Sequence, residues 1–160
     1  EYTAECCAKE GIPFVLNPAP YSPLKDGLLE KCTYLTPNES EARQILGLAP
    51  DAPVADEEVA ERLYAKGIKN VVMTLGSKGA YIRNAEMSEK IFSEKVDAVD
   101  TTGAGDTFTG AFCVALAEGK SVRDAVCFGN AAAGISVTKY GVVESIPTRE
   151  EVDKRLEVRK

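Results

Sequence analysis

The chain has no histidine among its 160 residues, and that absence removes several chemistries at once. No Cys/His zinc site can be built, and neither a Ser–His nor a Cys–His nucleophile pair can be assembled. The five cysteines, Cys6, Cys7, Cys32, Cys113 and Cys127, are odd in number and never fall at Cys-x-x-Cys spacing. A cysteine-only metal site fits that spacing poorly, so reduced thiols in a cytoplasmic protein are the expectation. Basic clusters are missing too. Nineteen Lys and Arg stand against 25 Asp and Glu for a net charge of −6, which argues against nucleic acid or an anionic membrane as partner. No apolar run approaches transmembrane length, and no signal peptide is read at the start.

What remains is an ordinary globular composition, 44% hydrophobic and 28% charged. The length suits one domain over 1–160, which would bury roughly two-thirds of its unfolded surface. One stretch stands out: Asp100-Thr101-Thr102-Gly103-Ala104-Gly105-Asp106, running into Phe108, Ala111, Phe112, Ala115 and Leu116 at i, i+3, i+4, i+7 and i+8. That spacing predicts a helix opened by a glycine turn. The first turn of a helix carries unpaired N–H donors and about half a positive charge, so a bare glycine entry is a cradle for an anion. Asp106 has two readings. It is an N-cap, a common role for Asp, or it is a carboxylate placed to take a proton from an attacking hydroxyl. Other glycine motifs fit poorly. No Lys follows these glycines as a P-loop requires, and Gly110 falls two positions late for a dinucleotide fingerprint.

Taken whole, Asp100 to Phe112 closely resembles the signature of the ribokinase-like (PfkB) family of carbohydrate kinases. The resemblance implies transfer of the γ-phosphate of ATP to a sugar hydroxyl. Asp106 would be the catalytic base and the residue meeting the sugar, and the amides of Gly103, Ala104 and Gly105 would form the anion hole. It extends over essentially the whole chain but only the second half or so of a family member. The implied fold is the C-terminal portion of a three-layer α/β parallel-sheet architecture, without the N-terminal half and its lid.

The rest of the chain fits alternating strands and helices. Residues 1–10 read as a helix without a cap, with Tyr2, Ala4 and Cys6 towards a core. Ile12 to Leu16 reads as a buried strand ending in the rigid turn Asn17-Pro18-Ala19-Pro20. Leu24 to Leu29 reads as a short helix and Cys32 to Leu35 as the next strand. Asn38 and Glu41 then have capping-box spacing at the start of a helix ending near Gly47. Asp56 is expected to cap a helix to about Lys66. Val71 to Leu75 reads as a strand leading into the Gly76-Ser77-Lys78-Gly79 loop and a hairpin to Ala80, Tyr81 and Ile82. Asn84 to Lys95 reads as polar edge structure with Ile91, Phe92 and Val96 as its apolar positions. Ser121 caps a small-residue helix with Asn130 opposite its core face, and Thr148 caps the last helix.

Onto these elements the resemblance places further roles. Asn-x-x-Glu is the family's metal–phosphate motif, so Glu41 would hold Mg²⁺, through water, and Asn38 a phosphate oxygen. Thr74, Gly76, Ser77 and Gly79 would lie along ATP, and Asn130 near the adenine. Asp100, Thr102, Ser136, Lys139, Gly141 and Ser145 would hold a monovalent cation, K⁺, several of them through backbone carbonyls. The turn at Asn17 leans towards members that convert ribose to ribose 5-phosphate. Fructose, 2-keto-3-deoxygluconate or a nucleoside are the alternative acceptors within the family. A homodimer is implied for the full-length form. Two other readings stand beside the kinase, a non-catalytic nucleotide-binding module and a fragment that binds nothing. Without the sugar-binding half, the isolated chain is expected to be inactive.

Overall fold

The computed structural model describes residues 1–25 and 27–158. It divides into two compact units, one comprising Glu1–Gly76 with Tyr81–Lys90, the other Ser77–Ala80 with the chain from Ile91 onward. The elements in order are α1 (Tyr2–Glu10), β1 (Val15–Leu16), α2 (Leu28–Lys31), β2 (Tyr34–Leu35), α3 (Glu39–Ile45), α4 (Asp56–Ala65), β3 (Val71–Thr74), a 3₁₀ turn (Gly76–Lys78), β4 (Ala80–Arg83), β5 (Ser88–Ile91), α5 (Ala104–Ala117), α6 (Val122–Ser136) and α7 (Arg149–Glu157).

The five strands form one sheet in sequence order, β1-β2-β3-β4-β5. β1 pairs parallel with β2, Val15 opposite Tyr34, and β2 parallel with β3, Leu35 opposite Val71. The links from β3 to β4 and from β4 to β5 are too short for a crossover, so those neighbours run antiparallel and the sheet is mixed. β3 is buried at Val71, Val72 and Met73 without alternation, the pattern of a strand covered on both faces. On one face Leu35, Val71, Met73 and Leu75 pack with Ala42 of α3 and Val59, Ala60 and Leu63 of α4. This core is the reason α3 and α4 hold their apolar stripes against the sheet.

Several expectations shift by a residue or a role. Only Ala4 of α1 is buried; Tyr2 is 80% exposed and Cys6 half-buried. The first strand shortens to Val15–Leu16, leaving Ile12 on the surface, and Phe92 is exposed as well. The short helix runs Leu28–Lys31, later than Leu24–Leu29, and Asp26 within that expected span lies outside the described residues. Asp56 does not cap α4. Ala55 is the N-cap, and Asp56 instead accepts from the Arg43 guanidinium at 3.0 Å.

Arg43 explains that exchange. Its guanidinium is almost fully buried and donates to the carbonyls of Glu39, Ala52 and Val54 and to Asp56. It ties α3 and the first residue of α4 to the loop between them. Breaking such a knot strands three carbonyl acceptors and a partly buried carboxylate. Arg43→Ala should cost about 2–4 kcal/mol in urea unfolding. Arg43→Lys should recover little, because one ammonium cannot serve four acceptors spread along a planar fork; full recovery by Lys would contradict this role.

The second unit is built on the antiparallel pair α5 and α6, with α7 against α6. Phe108 and Phe112 of α5 stack with centroids 6.2 Å apart. Gly129 of α6 lies so close that a Cβ there would come within 2.9 Å of the Phe108 ring and 3.1 Å of its carbonyl. Close helix packing therefore accounts for this member of the small-residue stripe.

Candidate active site

The chain enters α5 through a turn whose geometry follows from its sequence. The Ala104 N–H donates to the Thr101 carbonyl at 3.2 Å, and Gly103 sits between at φ 75°, ψ 3°. A type II turn demands positive φ at that position, and glycine supplies it. A Cβ on Gly103 would also meet Val142 Cγ1 at 2.8 Å. The Asp100 carboxylate braces the turn from behind, with Oδ1 accepting from the Thr102 N–H at 2.9 Å and Oδ2 from the Gly141 N–H at 3.4 Å. These bonds, the Thr102 amide first, hold the Asp100 carboxyl below its usual range. The brace therefore stays charged at neutral pH and weakens only in acid below the ordinary carboxylate value.

Gly103 is the N-cap of α5, with no side-chain cap bond. The reading of Asp106 as a cap is thus corrected: it stands three residues inside, in the first turn, and is exposed. The first intrahelical bond runs from the Thr107 N–H to the Gly103 carbonyl, so the amides of Gly105 and Asp106 precede the ladder. A Cβ on Gly105 would meet nothing within 4 Å. The direction a side chain would take from Gly105 is therefore open. Packing does not require glycine at 105.

The residues expected at a cation separate into those drawn together and those whose side chains are engaged elsewhere. Val99 and Asp100 both donate their N–H to the Val137 carbonyl, and Lys139 donates its N–H to the Ser136 carbonyl. With Gly141 on Asp100, the segments 99–102 and 136–141 are drawn together. The Lys139 ammonium pairs with Glu151 at 2.9 Å, which leaves only its main chain for an ion. The Ser136 and Ser145 hydroxyls donate back to Ala133 and Val142, so their carbonyls are what a cation would use. Main-chain oxygens beside one carboxylate suit a hard monovalent ion.

In the first unit, Asn38 follows β2, and both halves of the predicted capping box are formed. The Glu41 N–H donates to Asn38 Oδ1 at 2.9 Å, and the Asn38 N–H to Glu41 Oε2 at 2.8 Å. Glu41 is only 7% exposed. Thr74 ends β3 beside it, its N–H on the Pro37 carbonyl at 2.9 Å and its backbone bridged to Asn38. Asn38 and Thr74 thus share the carboxyl end of adjacent parallel strands, where open α/β sheets bind ligands. Among the described residues no group of three or more Asp, Glu or Cys is placed to hold a metal. A lone carboxylate fits Mg²⁺ that arrives with phosphates, not a resident ion.

Gly76 turns at φ 53° with open space around it, and Ser77 is exposed. Gly79 differs. At φ 101°, its Cβ would fall 2.0 Å from the Ile91 carbonyl and 2.7 Å from the Ser93 N, so backbone crowding alone demands glycine there. Asn130 is not opposite the core face. It is 5% exposed, and its Nδ2 donates to the Ile91 carbonyl at 3.2 Å. Burial pushes the Cys32 thiol up to about 11 and raises Cys113 too, so neither supplies a thiolate nucleophile.

The family model of the pfkB family carbohydrate kinases matches residues 1–149. The chain belongs to that family. It is 46% identical to a ribokinase of Haemophilus influenzae over 98% of this chain and 51% of that protein. Its structure is similar to a ribokinase of Thermotoga maritima with a TM-score of 0.86 at 42% identity, covering 97% of this chain and 52% of the other. It is similar also to an Arabidopsis thaliana ribokinase complexed with ribose and ATP, with a TM-score of 0.85 at 34% identity, covering 96% and 50%. The chain spans about half the length of these relatives. No described helix is long and apolar enough to cross a membrane.

The open backbone at Gly105 makes stability and binding move in opposite directions. Gly105→Ala should stabilise the helix by up to about 1 kcal/mol, since the new methyl clashes with nothing. It should weaken an ATP analogue at least about tenfold, or about 1.4 kcal/mol, by holding phosphate off the amide. Calorimetric titration beside thermal unfolding checks this; unchanged affinity would contradict the anion-cradle reading.

Proposed function

We propose that this chain is the ATP-binding part, one α/β domain, of a carbohydrate kinase that moves the γ-phosphate of ATP to a sugar hydroxyl. The observation that carries the reading is the glycine entry to α5, where open main-chain amides stand in the same helical turn as an exposed carboxylate. Asp106 acts as the base that accepts the hydroxyl proton as the oxygen attacks phosphorus. The amides of Gly103 to Gly105 stabilise charge on the transferred group; Ala104 bonds the Thr101 carbonyl in the turn and shares its N–H between that role and the anion. Asn38 and Glu41 hold the metal–phosphate group, where Mg²⁺ supplies charge neutralisation. Thr74, Gly76, Ser77, Gly79 and Asn130 serve the nucleotide.

Asp100, Thr102, Ser136, Lys139, Gly141 and Ser145 form the monovalent-cation site, which shapes the turn and does not touch substrate. Ribose is the acceptor that the names of the relatives favour, and one of them binds ribose and ATP together. The full-length enzyme works as a cytoplasmic homodimer, and the 160-residue chain alone turns over little, because the sugar is held largely by residues outside it. A non-catalytic nucleotide-binding module is the second reading; the exposed Asp106 beside the amides favours the kinase, because a pure anion binder gains nothing from a carboxylate there.

In a full-length, active form, Asp106→Asn should reduce kcat at least about a thousandfold, or about 4 kcal/mol, with ATP affinity kept within a few-fold. Substantial residual turnover would refute the base assignment.

A further inference from the structure

We infer that Glu151, in the first turn of α7, is a positioning residue for the monovalent-cation site. It neutralises the Lys139 ammonium and closes the loop that carries Lys139, Gly141 and Ser145. The inference rests on the cation reading above and adds to it a residue outside the cation-binding set. Thr148 and Glu151 form a capping box. The Glu151 N–H donates to Thr148 Oγ1 at 3.3 Å, and Glu151 Oε2 accepts from the Thr148 N–H at 2.7 Å. Capping accounts fully for that carboxylate oxygen. The other one, Oε1, accepts from Lys139 Nζ at 2.9 Å, twelve residues back along the chain. This second bond is no part of a helix cap. Exposed ion pairs contribute little, and the neighbouring Lys154–Glu150 pair, 71% and 78% exposed on one helix, is of that kind. Lys139 and Glu151 are only 37% and 43% exposed, and they join a loop to a helix.

Main-chain bonds already tie one side of this loop. The Val137 carbonyl accepts from Val99 and Asp100, and the Gly141 N–H donates to Asp100. On the other side α7 begins from a fixed point, because Arg149 bonds Glu118 at the end of α5 and Asp153 one turn on. The capping box then sets the direction of the Glu151 carboxylate, and the Lys139 side chain is tied to it. A loop closed before its ligand arrives has less to order on binding. Charge acts in the same direction. With its ammonium committed to Glu151, Lys139 has only its main chain to offer an ion, which would sit about one side chain's length from that second positive charge. Such a separation is of the order of the Debye length, about 8 Å in physiological salt, so screening is only partial. Glu151 cancels the repulsion; without it the ammonium stands uncompensated beside the site.

The test unfolds the 160-residue chain thermally in rising KCl, with choline chloride holding the ionic strength constant. The quantity read is the KCl concentration at the half-maximal rise in Tm. Glu151→Gln should raise that concentration about two- to fivefold, since Gln still closes the capping box but lacks the charge. Lys139→Met, which leaves the box intact, should raise it less. Adding Lys139→Met to Glu151→Gln should bring the midpoint partway back, because the stranded ammonium is gone. Lys139→Arg keeps the pair and should keep the midpoint, as should Glu150→Gln, which removes the same charge from the same turn. A merely structural tie would lower Tm equally with and without KCl and leave the midpoint unmoved. That result, an equal shift in Glu150→Gln, or a double variant no better than Glu151→Gln would each overturn the inference while leaving the cation reading standing. If KCl does not raise the Tm of the unaltered chain above choline chloride, the cation reading fails and the inference falls with it.

Discussion

The entry to α5 depends on one short brace, the Asp100 carboxylate gripping the amides of Thr102 and Gly141. It fixes the turn that brings Gly103 to positive φ, and that turn alone decides which amides open α5. A side chain cap at this helix start would have satisfied those donors internally. Here Gly103 stands as cap without one, so no side-chain cap satisfies the first-turn donors. The cost in helix stability is the ordinary cost of glycine in a first turn, and the neighbouring packing offsets it. Phe108 and Phe112 lock α5 against α6, with Gly129 admitting the ring.

The first unit solves a different problem with a different device. Its parallel strands β2 and β3 end at Leu35 and Thr74, an isolated bridge joins Asn38 to Thr74, and the capping box of Asn38 and Glu41 fixes the chain shortly after β2. The same two side chains satisfy backbone donors and serve the phosphate region in the proposed kinase. The box takes Asn38 Oδ1 and Glu41 Oε2, and the other polar atom of each side chain remains for a ligand. Behind them Arg43 ties down the loop that leads to α4. No sequence pattern advertised it, because its acceptors are three carbonyls and a carboxylate spread over residues 39 to 56.

Legibility followed the range of the interaction. The glycine entry, the box at Asn38, the caps at Ser121 and Thr148 and the apolar face of α5 are all encoded within a few residues, and they stand in the structure as expected. What needs partners far along the chain is not legible from its neighbours. Asp56 was readable as a cap only while Arg43 was unknown. Asn130 reads as outward from its place on α6, but the Ile91 carbonyl, 39 residues earlier, holds it inside. Gly79 carried a motif, yet its φ and its crowding against Ile91 and Ser93 were invisible in one dimension.

The central claim is that the main-chain amides at the start of α5 receive phosphate. The most direct measurement follows the ¹H and ¹⁵N resonances of the Gly105 and Asp106 amides while an ATP analogue with Mg²⁺ is added. Downfield, saturable shifts of these two amides, larger than those at the far end of α5, are the result this account predicts. Binding that leaves both amides unmoved would contradict it.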